Sequence, residues 1–187
     1  MAFINTVFAY FMQFLPKWFV KPFAKPYVAG VKIGEVLDVA KNLNDKGFST
    51  TIDILGEFVN DEKGAIKVKN QYSKLIKSIR ERDLDSTISV KLTHLGLDLD
   101  FAFCKNLMTE LTQEAKRFNV GIAIDMENSP YTDSIYKVYS HTVKIFHKVG
   151  AVMQAYLRRS FSDLKNLNNS KLVLRICKGI YNEDPSI

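Results

Sequence analysis

Two basic residues stand where an unpaired charge would be costly. Lys91 lies inside Ser-Val-Lys-Leu-Thr, and Arg175 lies inside Leu-Val-Leu-Arg-Ile-Cys. Both stretches read as strands, and burying an isolated cation in one is expensive. A Lys and an Arg facing one cavity, with Asp125 and Glu57 nearby, would hold a carboxylate or a phosphate. Other polar residues fall at comparable places: Asp53, Glu127, Gln154 and Lys178 each sit near the end of an apolar run. Any one of them could be an ordinary solvated or capping residue. Five successive runs that all deliver polar groups to one end describe a rim.

Other chemistries find little support. His141 and His147 are six apart on a predicted helix and point to different faces, and His94 stands apart, so metal-ligand spacing is absent. The two cysteines, Cys104 and Cys177, are too few for a disulfide scaffold or a four-thiolate zinc site. Cys104 falls on an apolar helical stripe and Cys177 on a strand, which suits packing better than nucleophilic attack. No G-x-G-x-x-G follows a strand, so a Rossmann nucleotide site is not indicated.

The elements that must place the rim alternate. Apolar residues at helical spacing run through Ile33–Leu43, with Gly47 in a C-cap position. Further helical stripes run through Ala65–Ile79, Cys104–Phe118 and Ile135–Phe146, and a short helix is expected around Asp163–Leu167. Between them lie strands expected at Thr51–Leu55, Ile88–Leu92, Gly121–Asp125, Ala151–Leu157 and Leu172–Cys177. Strands separated by helices imply parallel pairing, and their near-continuous apolar runs imply burial on both faces. In such folds the ligand site lies at the C-terminal ends of the strands.

The 187 residues are 47% hydrophobic and 25% charged, with a net charge of +6, which excludes a disordered chain. Only 6 of the 26 basic residues are Arg, which does not favour nucleic acid as a partner. Residues 1–15, MAFINTVFAYFMQFL, are apolar apart from Asn5, Thr6 and Gln13; Pro16 follows, then Lys17, Trp18, Lys21 and Lys25. The charges come after the apolar run, opposite to a secretory signal. Two readings of this segment stand open: a cap helix packed on protein, and an anchor lying in a membrane surface.

The strand-end motifs, taken in order, resemble the flavin-dependent proline dehydrogenases. They are Ile52-Asp53-Ile54-Leu55-Gly56-Glu57, Ser89-Val90-Lys91-Leu92-Thr93-His94-Leu95-Gly96-Leu97 and Ile124-Asp125-Met126-Glu127-Asn128-Ser129. Val152-Met153-Gln154-Ala155-Tyr156-Leu157 and Leu174-Arg175-Ile176-Cys177-Lys178-Gly179-Ile180-Tyr181 complete the set. The resemblance begins near Tyr27, which divides the chain into an N-terminal segment, 1–26, and a partial catalytic domain, 27–187.

The resemblance implies a distorted (β/α)8 barrel, of which about the first five strands are present. It implies FAD as cofactor, L-proline as substrate, pyrroline-5-carboxylate as product and a membrane quinone as electron acceptor. It further implies that Lys91 holds the proline carboxylate and that Asp125 supports Lys91. Arg175 would stabilise the reduced flavin. Met126, Gln154, Cys177, Lys178, Gly179 and Ile180 would line the cofactor, and Glu57 would be half of an ion pair gating the pocket. Asn128 and Cys177 stand where the family usually has Asp and Val. A cytoplasmic protein, peripheral on the inner membrane through residues 1–26, is the expected location. The chain is accordingly expected to be the N-terminal part of such an enzyme. The alternative is a split-enzyme or non-catalytic fragment whose first helix binds a membrane or a partner.

Overall fold

The computed structural model describes residues 28–167 and 172–187. The expected N-terminal apolar helix, and any anchor in residues 1–26, lie outside them. The chain divides into two units, 1–42 and 43–187. Helix α1, Ile33–Asn44, begins in the first unit and carries its buried residues, Leu37 and Ala40, on one face. Three residues past its end, Gly47 takes φ +84° and its N–H donates to the Asn44 carbonyl at 2.8 Å, so the turn uses the left-handed conformation glycine permits.

The second unit holds the sheet. Its elements follow in chain order: β1 Thr50–Asp53, α2 Glu62–Glu81, β2 Ser86–Val90, α3 Phe101–Phe118 and β3 Ile122–Ile124. Then come α4 Thr132–Ile145, β4 Val149–Gln154, α5 Ser160–Asn166 and β5 Leu174–Cys177. Single 3-10 turns at Thr93–Leu95 and Ser129–Tyr131 follow β2 and β3. The five strands pair in sequence order, β1-β2-β3-β4-β5, and every pair is parallel. A doubly wound sheet reverses its strand order at a switch point. Unbroken sequential order is instead the arrangement of a (β/α)8 barrel wall.

The helical stripes form for the reason their spacing gives. On α2, Ala65, Val68, Tyr72, Leu75, Ile76 and Ile79 are buried, three to four residues apart. On α3, Cys104, Leu107, Met108, Leu111, Thr112 and Ala115 do the same. Aspartates start both helices. Asp61 accepts from the Gly64 N–H at 2.7 Å, and Asp100 from the Phe103 N–H at 2.6 Å, each satisfying a backbone donor left over in the first turn.

Strand limits differ from the sequence expectation by one to three residues. β2 closes at Val90 and β3 at Ile124, so Lys91 and Asp125 stand just beyond their strands. The ladder still continues for one bond, from the Asp125 N–H to the Val90 carbonyl at 2.9 Å. β4 starts at Val149 and ends at Gln154, earlier than the apolar run through Leu157 implied: the chain turns from Ala155 on, although the Ala155 and Tyr156 N–H groups still donate to the Cys177 and Lys178 carbonyls at 2.8 and 3.1 Å. Burial on both faces holds along β4 and most of β2, but not at the sheet edges. In β1 only Ile52 is buried, and Ile176 of β5 is 63% exposed, since an edge strand has a neighbour on one side only.

Candidate active site

The parallel register brings one layer of the rim together. Val90 pairs with Ile124, Ile124 with Ala151, and Val152 with Arg175. Lys91 and Asp125 are therefore level with each other, and Arg175 is level with both, two strands along. Asp53 pairs with Ser89, one step below.

The side chains close on Asp125. Its Oδ2 accepts from Lys91 Nζ at 3.1 Å. Its Oδ1 accepts from Arg175 Nη2 at 2.5 Å and from the Ser89 hydroxyl at 2.7 Å. Lys91 Nζ also donates to Asp53 Oδ2 at 2.9 Å. The Asp125 and Lys91 side chains are 13% and 15% exposed, whereas Arg175 is 52% exposed. A shielded carboxylate thus holds a shielded ammonium and a guanidinium that remains open to ligand. Burial alone would lower the Lys91 pKa, but the hydrogen bonds and charges of Asp53 and Asp125 outweigh it and hold Lys91 above the ordinary lysine value.

The second carboxylate on Lys91 is Asp53. Glu57 accepts from the Tyr181 hydroxyl at 2.8 Å, across 124 residues of chain. That bond joins the loop after β1 to the loop after β5. Asp53 carried the same signal as its neighbours, a polar residue closing an apolar run. Choosing it needed the β1–β2 register. Ser89 was legible by alternation, since it lies two residues before Lys91 and so on the same face.

The remaining predicted residues are spread along the same rim. Met126 is 6% exposed. Gln154 is 1% exposed, and both ends of its amide are engaged within the protein: Nε2 donates to the Glu127 carbonyl at 2.8 Å, and Oε1 accepts from the Ile180 N–H at 3.3 Å. Cys177 is exposed, its thiol donating to the Met153 carbonyl at 3.4 Å. Lys178 and Ile180 are exposed. Gly179, at φ +110°, packs so closely on Tyr156 that a Cβ would fall 1.8 Å from its ring. Cys104 is buried, donates to the Leu92 carbonyl at 3.4 Å, and burial pushes its thiol pKa up, which disfavours a thiolate. Among the described residues no cluster of His, Cys, Asp or Glu could hold a metal ion.

Beside Lys91, His94 packs against the Gly56 backbone, where a Cβ would fall 2.4 Å from the ring. Burial, aided by the Lys91 charge and opposed by Asp53, lowers the His94 pKa below 6.5. A depressed histidine favours its neutral form. Its stabilising contribution is therefore complete above pH 6.5, its ordinary value, and is lost as pH falls through the folded value. Melting curves from pH 7.5 to 5 are expected to show wild type losing more stability than His94→Gln. Parallel curves would remove His94 from the acid response.

A family model described as proline dehydrogenase matches residues 36–184, a stretch that includes Asp53, Lys91, Asp125, Gln154 and Arg175. The chain belongs to the proline dehydrogenase family. It is 37% identical over 164 residues to proline dehydrogenase 1 of Bacillus subtilis subsp. natto, covering 88% of this chain and 54% of that protein. It is 31% identical over 170 residues to proline dehydrogenase 2 of Bacillus subtilis strain 168, covering 91% and 56%. Among solved structures, proline utilization A from Bdellovibrio bacteriovorus, inactivated by N-propargylglycine, superposes with a TM-score of 0.78 at 25% identity, covering 86% of this chain and 20% of that one. The chain spans about half the length of the curated relatives it matches. Its parallel α/β architecture is that of the proline dehydrogenase family.

Proposed function

We propose that this site oxidises L-proline to pyrroline-5-carboxylate with bound FAD, and that the electrons pass to a membrane quinone. The observation that carries the reading is the pair of cations fixed on the two oxygens of shielded Asp125. The donor set suits the cofactor. Arg175 is half exposed and, among the described residues, is hydrogen-bonded to Asp125 alone, which leaves donors for an electron-rich ring. Met126 lines the same rim, and Lys178 offers charge to a phosphate. FAD, when bound, would accept the hydride from C5 of proline.

The chain's own groups do the positioning. An ammonium has three donors. Lys91 spends two on Asp53 and Asp125, and the third would take a proline carboxylate oxygen. Asp125 fixes the distance between that ammonium and the Arg175 guanidinium, so that a substrate held by one meets a flavin steadied by the other. Met126, Cys177, Gly179 and Ile180 would line the cofactor. The one free N–H of Gln154 would face it, since its other amide bonds hold the rim. Glu57 would gate the pocket, and its bond to Tyr181 is a ready latch.

Quinone reduction would place the protein at the cytoplasmic face of a membrane, with residues 1–26 as the contact. Among the described residues no helix is long and apolar enough to cross one. The test is anaerobic addition of L-proline to the flavin-loaded product of the complete reading frame. Bleaching of the flavin with one equivalent of pyrroline-5-carboxylate is the expected result, followed by recovery with a short-chain quinone. A flavin that stays oxidised in excess proline would overturn the reading.

A further inference from the structure

Glu127 has no partner of opposite charge among the described residues, yet it is 1% exposed. Burial raises its pKa above the usual carboxylate range, against two hydrogen bonds from Thr93 and with the Glu57 charge adding to the rise. A buried carboxylate without a cation is costly, and a neutral residue would pack there at less cost.

Its bonds show what it does. Oε1 accepts from the Thr93 N–H at 3.1 Å, and Oε2 accepts from the Thr93 hydroxyl. That hydroxyl accepts in turn from the Phe58 N–H at 3.4 Å. On the other side, the Glu127 carbonyl accepts from Gln154, which accepts from the Ile180 N–H. One chain of hydrogen bonds therefore runs through the loops after β1, β2 and β3, the last residue of β4 and the loop after β5, with residue 127 at its middle. Thr93, Glu127 and Gln154 are all essentially buried.

The carboxylate is required by the donor count. Thr93 presents an N–H and an O–H, so its partner must offer two acceptors at once. An amide offers an acceptor on one side and a donor on the other, and the Thr93 O–H would then lose its acceptor. Thr93 is two residues past Lys91, and Ile180 lies in the loop that follows Arg175 and Cys177.

We propose that Glu127 is a positioning residue, whose carboxylate through Thr93 fixes where Lys91 meets the substrate, while the main-chain carbonyl at 127 holds Gln154 and with it the loop at Ile180. This rests on the proposed oxidation of proline. It gives a role to a residue that touches neither proline nor flavin in that reading.

The experiment compares Glu127→Gln, Thr93→Val and Thr93→Ser in the flavin-loaded product of the complete reading frame. Displacing a positioned group by about 1 Å costs on the order of 100-fold in rate. Glu127→Gln and Thr93→Val are each expected to lower kcat/KM for proline by about 10- to 100-fold, with KM raised. The double variant is expected to be no worse than either single one, because both remove one linkage. Thr93→Ser keeps the hydroxyl and is expected to restore the wild-type KM. A readout independent of turnover is amide hydrogen exchange in the flavin-free protein, which is expected to quicken at 91–94 in both damaging variants, while 178–181, held through the main-chain carbonyl at 127, keep their wild-type rates.

Folded variants with kcat/KM within threefold of wild type, or with multiplicative losses in the double variant, would overturn the inference. So would exchange at 91–94 that keeps its wild-type rate in both variants. A wild type that fails to bleach with proline overturns the proposed function instead.

Discussion

Asp125→Asn is expected to lower kcat/KM for proline by about 100- to 1,000-fold while the protein stays folded. Among the described residues Asp125 is the one group that touches both cations of the site, through Lys91 at 3.1 Å and Arg175 at 2.5 Å. Removing one partner of a shielded, hydrogen-bonded charge pair costs about 3–5 kcal/mol, because the other charge is left uncompensated. Each 1.36 kcal/mol is a factor of ten, so most of that cost would appear as two to three decades. Asparagine keeps the shape but offers one acceptor, and its amide points a donor at a cation. Lys91 retains Asp53, whereas Arg175, 52% exposed, loses the charge of the one carboxylate it is bonded to among the described residues. The damage should therefore fall mainly on kcat, through the guanidinium. Ser89→Ala, which removes only the neutral donor at 2.7 Å, is expected to cost no more than about tenfold. Steady-state kinetics on the two variants check both numbers. An Asp125→Asn protein within threefold of wild type would remove Asp125 from the centre of the site.

What the sequence reveals and conceals follows from the range of the forces involved. The stripes of α2 and α3 repeat every three to four residues and drive burial directly, so periodicity alone marks the buried residues. The polar residue closing each strand is also a local signal. Strand limits are less local. β2 and β3 close together at the paired Val90 and Ile124, whereas β4 and β5 stay paired as far as Gln154 and Cys177, so each limit depends on the neighbouring strand and not on its own apolar run.

Pairings across the rim are the least legible. Lys91 is held by Asp53 as well as by Asp125 because Asp53 is registered with Ser89, two residues before Lys91, which no spacing within either strand discloses. The buried amide of Gln154 shows the same limit. As a polar residue ending a strand it reads as a ligand contact, while the fold already uses both of its ends to join Glu127 and Ile180. Tyr181 and Glu57 meet across the open ends of β5 and β1, and only three-dimensional closure brings them together.

Lys91→Met is the change that tests substrate recognition most directly. It keeps the length of the side chain and removes its charge. Asp53, 2.9 Å from the ammonium in the wild type, would then face the site without a cation, and Asp125 would keep only Arg175. A proline carboxylate entering there would lose a charge-assisted hydrogen bond, worth about 1.5–3 kcal/mol. It would also meet the unpaired Asp53 carboxylate, a like-charge repulsion of several kcal/mol in a partly shielded site. Together these predict a fall in kcat/KM of about 1,000-fold or more, carried chiefly by KM.

The decisive comparison is with pyrrolidine, the same ring without the carboxylate. If Lys91 holds that carboxylate, wild type strongly prefers proline to pyrrolidine and Lys91→Met loses the preference, its rate with pyrrolidine falling much less than its rate with proline. Equal losses on both substrates would show that the ammonium acts on the ring chemistry or on Asp125, and the carboxylate would then have to be bound elsewhere. Arg175 is the nearest alternative, and Arg175→Lys separates the two. A lysine there keeps the charge but cannot match the planar guanidinium on Asp125. Retained selectivity for proline in Arg175→Lys, beside lost selectivity in Lys91→Met, assigns the carboxylate to Lys91.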